Sequence, residues 1–238
     1  GPQFESACEA ETGWVSSQLE ESKLDYVLVA SAPLESPRID QILGSLKRFP
    51  KVCGIRQIIN HEPSWPRNKK RGNFLENPQW LDGFSLLASH HLAFDLQLNP
   101  HQFDKAVNLV TKHPDIPIII GHLGSPTLTD LENKQQYWEG LRELAYLEHV
   151  SIKISMLSYI DPAWDENSLI EEAVYQVIEL FGAERCFFAS NFPVEKHLGW
   201  SGHRLYSAFL NMVSLLDEES QQKLFADNAK KAYRQQIG

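Results

Sequence analysis

One histidine stands where a buried strand is expected to end. Residues 118–121 form the most apolar strand-like segment of the sequence and lead directly into His122, after which Gly124 and Pro126 follow. An imidazole in that position can ligate a metal, exchange a proton or act as an electrophile, whereas a core histidine would only bond a backbone carbonyl. We predict that His122 is a catalytic residue.

Polar side chains also interrupt earlier apolar segments. Asp95 and Gln97 alternate with apolar residues, so they share one face of a strand at residues 93–98. A carboxylate inside a parallel sheet is costly unless it is paired, and Arg56, in the segment 54–58, is a candidate partner. A purely structural polar layer is the alternative. We predict that Arg56, Asp95 and Gln97 bind substrate.

A lysine lies in the middle of another apolar segment. Lys153 is flanked by Ile152 and Ile154, where a solvated ammonium group is not expected. A lysine that lines a barrel can form a Schiff base, bind a carboxylate or act as a base. The alternative is a buried ion pair with Asp95 or another acid. We predict that Lys153 binds substrate.

An asparagine ends the last strand-like segment. Residues 186–190 are mainly apolar, Asn191 follows them, and Pro193 forces a turn soon afterwards. The side chain of Asn191 is therefore expected at the mouth of the sheet. An amide can orient a water molecule or a substrate carbonyl, but it cannot be ionised and is a poor general base. We predict that Asn191 is a catalytic residue in this orienting sense.

The elements that must position these residues alternate along the chain. Six short apolar segments predict buried strands, and helical patterns with apolar positions three or four apart follow them. The strands are predicted at residues 26–30, 54–59, 93–98, 117–122, 150–156 and 186–191, and the helices at residues 36–49, 79–90, 101–113, 137–147, 168–181 and 203–216. This alternation predicts an α/β fold with a parallel sheet, either a barrel or a doubly wound sheet. No glycine-rich phosphate-binding motif follows a strand, which favours the barrel.

The number of strands suggests a barrel that lacks its first strand. A further short strand at residues 3–5 would bring the count to seven. We therefore expect a distorted (β/α)8 TIM-like barrel whose first strand is missing from this chain and would lie upstream of Gly1. The longest irregular stretch, residues 60–77, is long enough to be an active-site loop.

Composition and charge limit the class of protein. The 238 residues are 42% hydrophobic and 22% charged, as in ordinary globular proteins, so we expect a single domain over residues 1–238. No apolar run approaches the roughly 20 residues that cross a bilayer. A net charge of -9 with scattered Lys and Arg disfavours nucleic acid as a partner. Three cysteines without close spacing indicate a reducing compartment. We predict a cytoplasmic protein without a membrane partner that binds a small molecule, and homo-oligomer formation stays open.

The ordered set of motifs resembles the amidohydrolase-related (amidohydrolase 2) family, specifically its sugar-lactonase and dicarboxylate-lactonase branch. The motifs occur in the family's order from about residue 3 to the end, at residues 54–58, 94–96 with 100–102, 122–126, 153–155 and 188–194. Each motif is weak alone, and the specificity comes from the set. The resemblance implies a distorted (β/α)8 barrel that hydrolyses C–O or C–N bonds, often with a divalent metal.

Two departures from the family pattern concern its metal. The resemblance implies an initial strand with a His-x-His pair that supplies metal ligands, and this sequence contains no such pair. Asn191 stands where the resemblance implies an aspartate that ligates the metal and serves as the base for water. A zinc site is therefore expected only if an upstream His-x-His exists in the full-length protein.

Two functions from different classes follow. The first is a carboxylic ester hydrolase that opens a small sugar-acid or dicarboxylate lactone by attack of water on the ester carbonyl. In it His122 acts as acid/base, Asn191 positions water or the carbonyl, and Arg56 and Lys153 bind substrate oxygens or a carboxylate. The second is a catalytically impaired barrel that acts as a binding or partner protein. Asn191 and the absent His-x-His favour the second function, whereas His122, Arg56 and Lys153 favour the first.

Overall fold

Six parallel strands form one sheet. The computed structural model describes residues 2–20, 22, 25–66, 68–132 and 135–234. Within these residues each strand pairs with its neighbours in sequence, in the order β1 to β6, and every pairing is parallel. The strands are β1 (Leu28–Ser31), β2 (Val52–Ile58), β3 (Ala93–Gln97), β4 (Ile118–Ile120), β5 (Val150–Ile154) and β6 (Cys186–Phe188).

Helices separate the successive strands, which confirms the predicted α/β alternation. The helices are α1 (Pro2–Glu20), α2 (Ile39–Leu46), α3 (Asn68–Arg71), α4 (Pro78–Ser89), α5 (Phe103–Thr111), α6 (Leu128–Glu132), α7 (Gln135–Ala145), α8 (Leu157–Ile160), α9 (Ser168–Phe181), α10 (Val194–His197), α11 (Gly202–Met212), α12 (Glu218–Gln222) and α13 (Asn228–Arg234), with a π-helical turn at Lys223–Asp227. Short 3-10 turns follow β3 and β4, at Pro100–Gln102 and His122–Gly124. None of the described helices has the length and apolar character that a membrane span requires.

Apolar side chains cover both faces of the sheet. Ile118 and Ile120 pack in a large cluster with the surrounding helices. Ile119, between them, packs on the opposite face in a second cluster with Phe187 and Tyr233. Burial on both faces explains why β4 has no polar alternation. Because Tyr233 lies in α13, the last helix covers part of the face of the sheet on which Ile119 packs, which we call the inner face.

The first helix replaces a predicted strand. The strand predicted at residues 3–5 is wrong, because these residues lie in α1. Cys8 and Thr12 are buried four residues apart, which is the spacing of one helix face rather than of a strand. Glu5 reaches the loop after β1 and accepts a hydrogen bond from Oγ of Ser36 at 2.7 Å. The described chain therefore contains six strands and not seven.

A glycine allows α4 to approach the loop after β1. A Cβ atom built on Gly83 would lie only 1.9 Å from the carbonyl oxygen of Leu34. That distance is far inside van der Waals contact, so the helix can pack here only without a side chain. In α2, by contrast, a Cβ on Gly44 would have no atom within 4 Å.

We expect Gly83→Ala to lower the free energy of unfolding by about 3 kcal/mol, at the upper end of overpacking costs, because the added methyl group overlaps a backbone carbonyl. Gly44→Ala is the matched control. It should raise the free energy of unfolding by roughly 0.5–1 kcal/mol, since alanine favours a helix over glycine. Urea unfolding of both variants measures the difference, and equal effects at the two positions would contradict the close packing of α4.

Candidate active site

The predicted site residues converge on one edge of the sheet. Arg56 lies near the end of β2 and Gln97 ends β3. His122 follows β4 after one residue, and Asn191 follows β6. The carboxyl ends of parallel strands meet at the same edge, where barrel enzymes place their active sites. The structure therefore brings these four positions to one edge of the sheet, which we call the mouth.

Arg56, Gln97 and His122 form a hydrogen-bonded network at this mouth. Nη2 of Arg56 donates to Oε1 of Gln97 and also contacts Nε2 of His122 at 3.3 Å. Because a guanidinium group only donates, Nε2 is the unprotonated nitrogen of the ring. Nδ1 then carries the proton and donates it to Oγ of Ser155 at 2.8 Å. The contacts therefore select one tautomer of His122.

The surroundings of His122 keep its ring uncharged. Burial, followed by the positive charges of Arg56 and Lys153, lowers the pKa of His122 from 6.5 to about 3. At neutral pH the imidazole is a neutral, weakly basic group. This arrangement supports a role for His122 as a hydrogen-bonding group that holds Arg56, more than the acid/base role expected from the sequence.

A second polar cluster lies deeper in the sheet. Asp95 accepts a hydrogen bond from the ammonium group of Lys153 on one oxygen and from the hydroxyl group of Tyr233 on the other, the latter at 2.7 Å. The ammonium nitrogen also lies 5.2 Å from the centre of the Tyr233 ring. Burial and the Asp95 carboxylate hold the pKa of Tyr233 well above its ordinary value. Both oxygens of this buried carboxylate thus have a partner.

The partner of Asp95 differs from the one first considered. Arg56 and Asp95 are neighbours in the strand register, yet Arg56 extends to the mouth and Lys153 neutralises the carboxylate. The side chains of Lys153 and Asp95 are only 15% and 6% exposed. The geometry therefore supports the buried ion pair, which was the alternative for Lys153, rather than contact of either residue with substrate.

The backbone is strained directly after three strands. His122, Met156 and Asn191, which follow β4, β5 and β6, have φ angles of 57°, 60° and 51°. Positive φ continues through Ser125. A non-glycine residue in this left-handed region costs on the order of 1–3 kcal/mol, and such residues cluster at functional sites. The strain thus coincides with the edge that carries the predicted site residues.

Buried polar atoms without a protein partner occur at the same edge. Within the described residues, Oγ of Ser125, Nδ2 of Asn191 and Oε1 of Glu195 are buried and make no hydrogen bond. Buried polar atoms in folded proteins nearly always have a partner, so these atoms mark positions where a ligand or water can bind. Asn191 shares the mouth with His122, but no hydrogen bond between described residues joins its side chain to the network of Arg56.

A cavity of about 450 Å³ opens beside these loops. Asn99 after β3, Ser125 after β4 and Tyr159 after β5 line it. Glu62 and Trp65 form another part of the wall. Both lie in residues 60–77, which were predicted as irregular but contain α3 and a 3-10 turn at Phe74–Glu76. The stretch expected to be an active-site loop therefore borders a cavity beside the mouth.

The described residues do not by themselves fit a metal site. No group of three or more His, Cys, Asp or Glu side chains among them is placed to hold a metal ion. Nε2 of His122 faces the guanidinium of Arg56, whose charge opposes a cation at that nitrogen. Asp95, the nearest buried carboxylate of the sheet, is neutralised by Lys153. The zinc expected with an upstream His-x-His stays a prediction.

The sequence is similar to proteins of one family. A family model described as Amidohydrolase matches residues 26–235. An uncharacterised protein, y4mH, of Sinorhizobium fredii is 30% identical over 226 residues, which cover 94% of this chain and 75% of that protein. An L-fucono-1,5-lactonase of Burkholderia ambifaria is 24% identical over 213 residues, covering 87% and 70%. An L-rhamnono-gamma-lactonase of Scheffersomyces stipitis is 26% identical over 234 residues, covering 86% and 67%.

Two solved structures share the fold. An amidohydrolase from Burkholderia multivorans with bound zinc aligns with a TM-score of 0.79 at 22% identity, covering 94% of this chain and 79% of that one. The 2,6-dihydroxybenzoate decarboxylase from Rhizobium aligns with a TM-score of 0.68 at 13% identity, covering 98% and 79%. At these identities the likeness concerns the fold alone. It confirms the predicted fold class, an α/β barrel of the distorted (β/α)8 type.

Three polar residues at or near the site were missed by sequence reasoning. Ser155 follows Lys153 at the two-residue spacing of one strand face, so the strand pattern could have indicated it. Tyr233 lies 138 positions from its partner Asp95, and no local pattern points to that contact. Glu195 looks like an ordinary solvated acid in a polar turn, yet it is 1% exposed.

We expect His122 to lower the stability of the folded protein at acidic pH. Its pKa is about 3 in the folded chain against 6.5 for the unperturbed group, so the unfolded state binds a proton first as the pH falls. Above pH 6.5 the titration of His122 therefore does not affect the free energy of unfolding. As the pH falls from 6.5 to about 3, this free energy decreases. His122→Gln, which cannot titrate, should lose stability less steeply in that window. Denaturant unfolding across the window measures both slopes, and equal slopes would refute a lowered pKa.

We expect Lys153→Met to lower the free energy of unfolding by about 3–5 kcal/mol, because it leaves the Asp95 carboxylate buried without a cation. The double variant Asp95→Asn/Lys153→Met should recover part of this loss, since the uncompensated charge is gone and the amide oxygen still accepts from Tyr233. Thermal and urea unfolding measure both effects. A single variant as stable as the wild type would show that the pair is solvated and not structural.

Proposed function

The chain belongs to the amidohydrolase family, and we propose that it is a hydrolase that opens a small lactone by attack of water on the ester carbonyl. The observation that carries the proposal is the pairing of Arg56 with neutral His122 at the mouth of the sheet, with a cavity bordered by the adjoining loops. The relatives named L-fucono-1,5-lactonase and L-rhamnono-gamma-lactonase support the same reaction class.

Arg56 supplies the positive charge that the reaction needs. When water adds to an ester carbonyl, negative charge develops on the carbonyl oxygen, and a preorganised donor at that oxygen lowers the barrier. Both hydrogen bonds that Arg56 makes within the described residues use Nη2, so Nη1 and Nε are available to a substrate oxygen. Gln97 and His122 hold the guanidinium in place, and its charge does not depend on pH in the working range.

His122 acts in this proposal through the position of Arg56 and as a neutral acceptor. Its Nδ1–H is engaged by Ser155, so Nε2, with its single lone pair, is the atom that accepts from the guanidinium. Asn191, at the same edge, offers its unpartnered Nδ2 to a water molecule or a substrate oxygen. Neither group is a strong base, so a different group must accept the proton of the attacking water.

The cavity favours a sugar-acid lactone over a dicarboxylate lactone. Its wall contains the acids Glu62 and Asp130 together with hydrogen-bonding groups such as those of Asn99, Thr127 and Tyr159. None of the lining residues that the structure describes is a lysine or an arginine. A second carboxylate on the substrate would meet like charge here, whereas hydroxyl groups would find donors and acceptors.

A catalytically impaired barrel that binds a ligand or a partner remains the second candidate. The observation that favours it is the amide at Asn191, where the family resemblance implies a carboxylate that activates water. The strained mouth and its unpartnered atoms would then serve to bind a small molecule without converting it.

We also propose the domain organisation, location and partners of the protein. Residues 1–238 act as one domain on a small-molecule substrate in the cytoplasm, with neither nucleic acid nor a membrane as partner. The homo-oligomeric state and any divalent metal that an upstream His-x-His would add stay predictions.

Ring opening of sugar-acid and dicarboxylate lactones, followed with a pH indicator and corrected for spontaneous opening, tests the proposal. We expect turnover of sugar-acid lactones by the wild type, with and without chelator. His122→Ala should lower kcat/KM by about 10²-fold or more, because Arg56 loses the partner that orients it.

His90→Ala is the matched control, since His90 pairs with Asp40 at the end of α4, close to the opposite edge of the sheet. It should leave kcat/KM unchanged. Loss of turnover on chelation would show that a metal takes part. A folded wild type that opens none of the lactones would favour the binding-protein candidate.

A further inference from the structure

Glu195 is a buried acid without a cation. Its exposure is 1%, and no ion pair among the described residues includes it. One carboxyl oxygen accepts a hydrogen bond from Ser158, and the other, Oε1, is buried without a partner. A carboxyl group placed in this way is costly for stability, so its position calls for a compensating role.

The loops that hold Glu195 are those of the candidate site. Ser158, its hydrogen-bond partner, follows β5 three residues after Ser155, which bonds His122. The backbone N–H of Glu195 lies 3.4 Å from the carbonyl oxygen of Asn191, so the two residues belong to one turn after β6. Glu195 is therefore at the mouth edge of the sheet, on the same turn as Asn191.

The two unpartnered atoms of this turn are complementary. Nδ2 of Asn191 is a donor, and Oε1 of Glu195 is an acceptor when the group is ionised. Both side chains leave one short turn, which the backbone contact between Glu195 N–H and the Asn191 carbonyl oxygen closes. A water molecule is the small group that can accept from one atom and donate to the other.

We propose that Asn191 and Glu195 together hold the hydrolytic water and that Glu195 is its general base. This inference rests on the proposed lactone hydrolysis. It accounts for the amide at position 191, since the carboxylate that accepts the proton lies one turn further along the chain. Asn191 then orients the water, which is the function an amide can perform.

The step balances without any further reagent. The carboxylate of Glu195 takes a proton from the water as the water oxygen bonds to the carbonyl carbon of the lactone. The bond between that carbon and the ring oxygen then breaks, and Glu195 returns the proton to the ring oxygen as it leaves. Between the attack of water and the breaking of the ring bond, Arg56 stabilises the negative charge on the carbonyl oxygen. One water is consumed for each hydroxy acid formed.

The kinetic test compares Glu195→Gln with the wild type on the lactone that the wild type opens. We expect kcat to fall by about 10²–10⁴-fold with little change in KM, because a positioned base is lost and the substrate contacts remain. Adding Asn191→Asp to Glu195→Gln should restore part of kcat, since a carboxylate returns to the same turn. Glu171→Gln, on the exposed surface of α9, is the matched control and should behave as the wild type.

Rescue separates catalysis from a structural role, because a residue that only held the loops would not be replaced by an acid at position 191. Wild-type kcat in Glu195→Gln overturns the inference and leaves the lactonase proposal standing. Equal loss in the single and double variants also overturns it.

A crystal structure of the wild-type protein tests the water site without reference to activity. We expect an ordered water oxygen within about 3.2 Å of both Nδ2 of Asn191 and Oε1 of Glu195. If the two atoms bond each other or protein groups instead, the inference fails even where the chain is a lactonase. If the water is present and no lactone is opened, the proposed function fails and the site stands as a water-binding site.

Discussion

Ionised groups inside a parallel sheet need partners that replace water, and this need organises the inner face of the protein. Asp95 is satisfied by Lys153 and Tyr233, so β3, β5 and the last helix meet at one carboxylate. Breaking such a buried pair by removing one partner costs about 3–5 kcal/mol, which is a large part of the stability of a domain. The groups at the mouth adjoin this neutralised cluster, since Arg56 is opposite Asp95 in the strand register and Ser155 lies two residues after Lys153.

The mouth differs from this interior in its unpartnered polar atoms and in its backbone conformation. In the deeper cluster the carboxylate has a partner for each oxygen. At the mouth, buried atoms of Ser125, Asn191 and Glu195 have no partner among the residues that the structure describes, and the backbone adopts left-handed conformations after β4, β5 and β6. Both features cost free energy, and tertiary packing must compensate for them. Such costs are typical of surfaces that bind or convert a ligand.

Electrostatics at the mouth also change the chemistry of individual residues. Beside a permanent cation and with little access to water, His122 is a neutral acceptor of defined tautomer rather than a proton shuttle. Its type and position at the end of a strand suggested an acid or base, and burial, reinforced by the charge of Arg56, lowers its pKa and leaves it neutral. The same environment makes the described residues a poor cation site, although family members commonly bind a divalent metal and one structure that shares the fold contains zinc.

The sequence by itself determined the alternation of strands and helices, because strands buried on both faces read as apolar runs whatever their partners are. It also placed His122 and Asn191 at strand ends, and strand ends of a parallel sheet share an edge. The structure showed that Arg56 and Gln97 reach His122 at that edge. The sequence misassigned residues 3–5, where three residues were too few to show a helical period. Only the tertiary structure decided which charges pair, because Asp95 meets Lys153 and Tyr233 across long separations in sequence. The burial of Glu195 could likewise not be predicted from the residues beside it, because exposure depends on what packs over a residue and not on its neighbours in the chain.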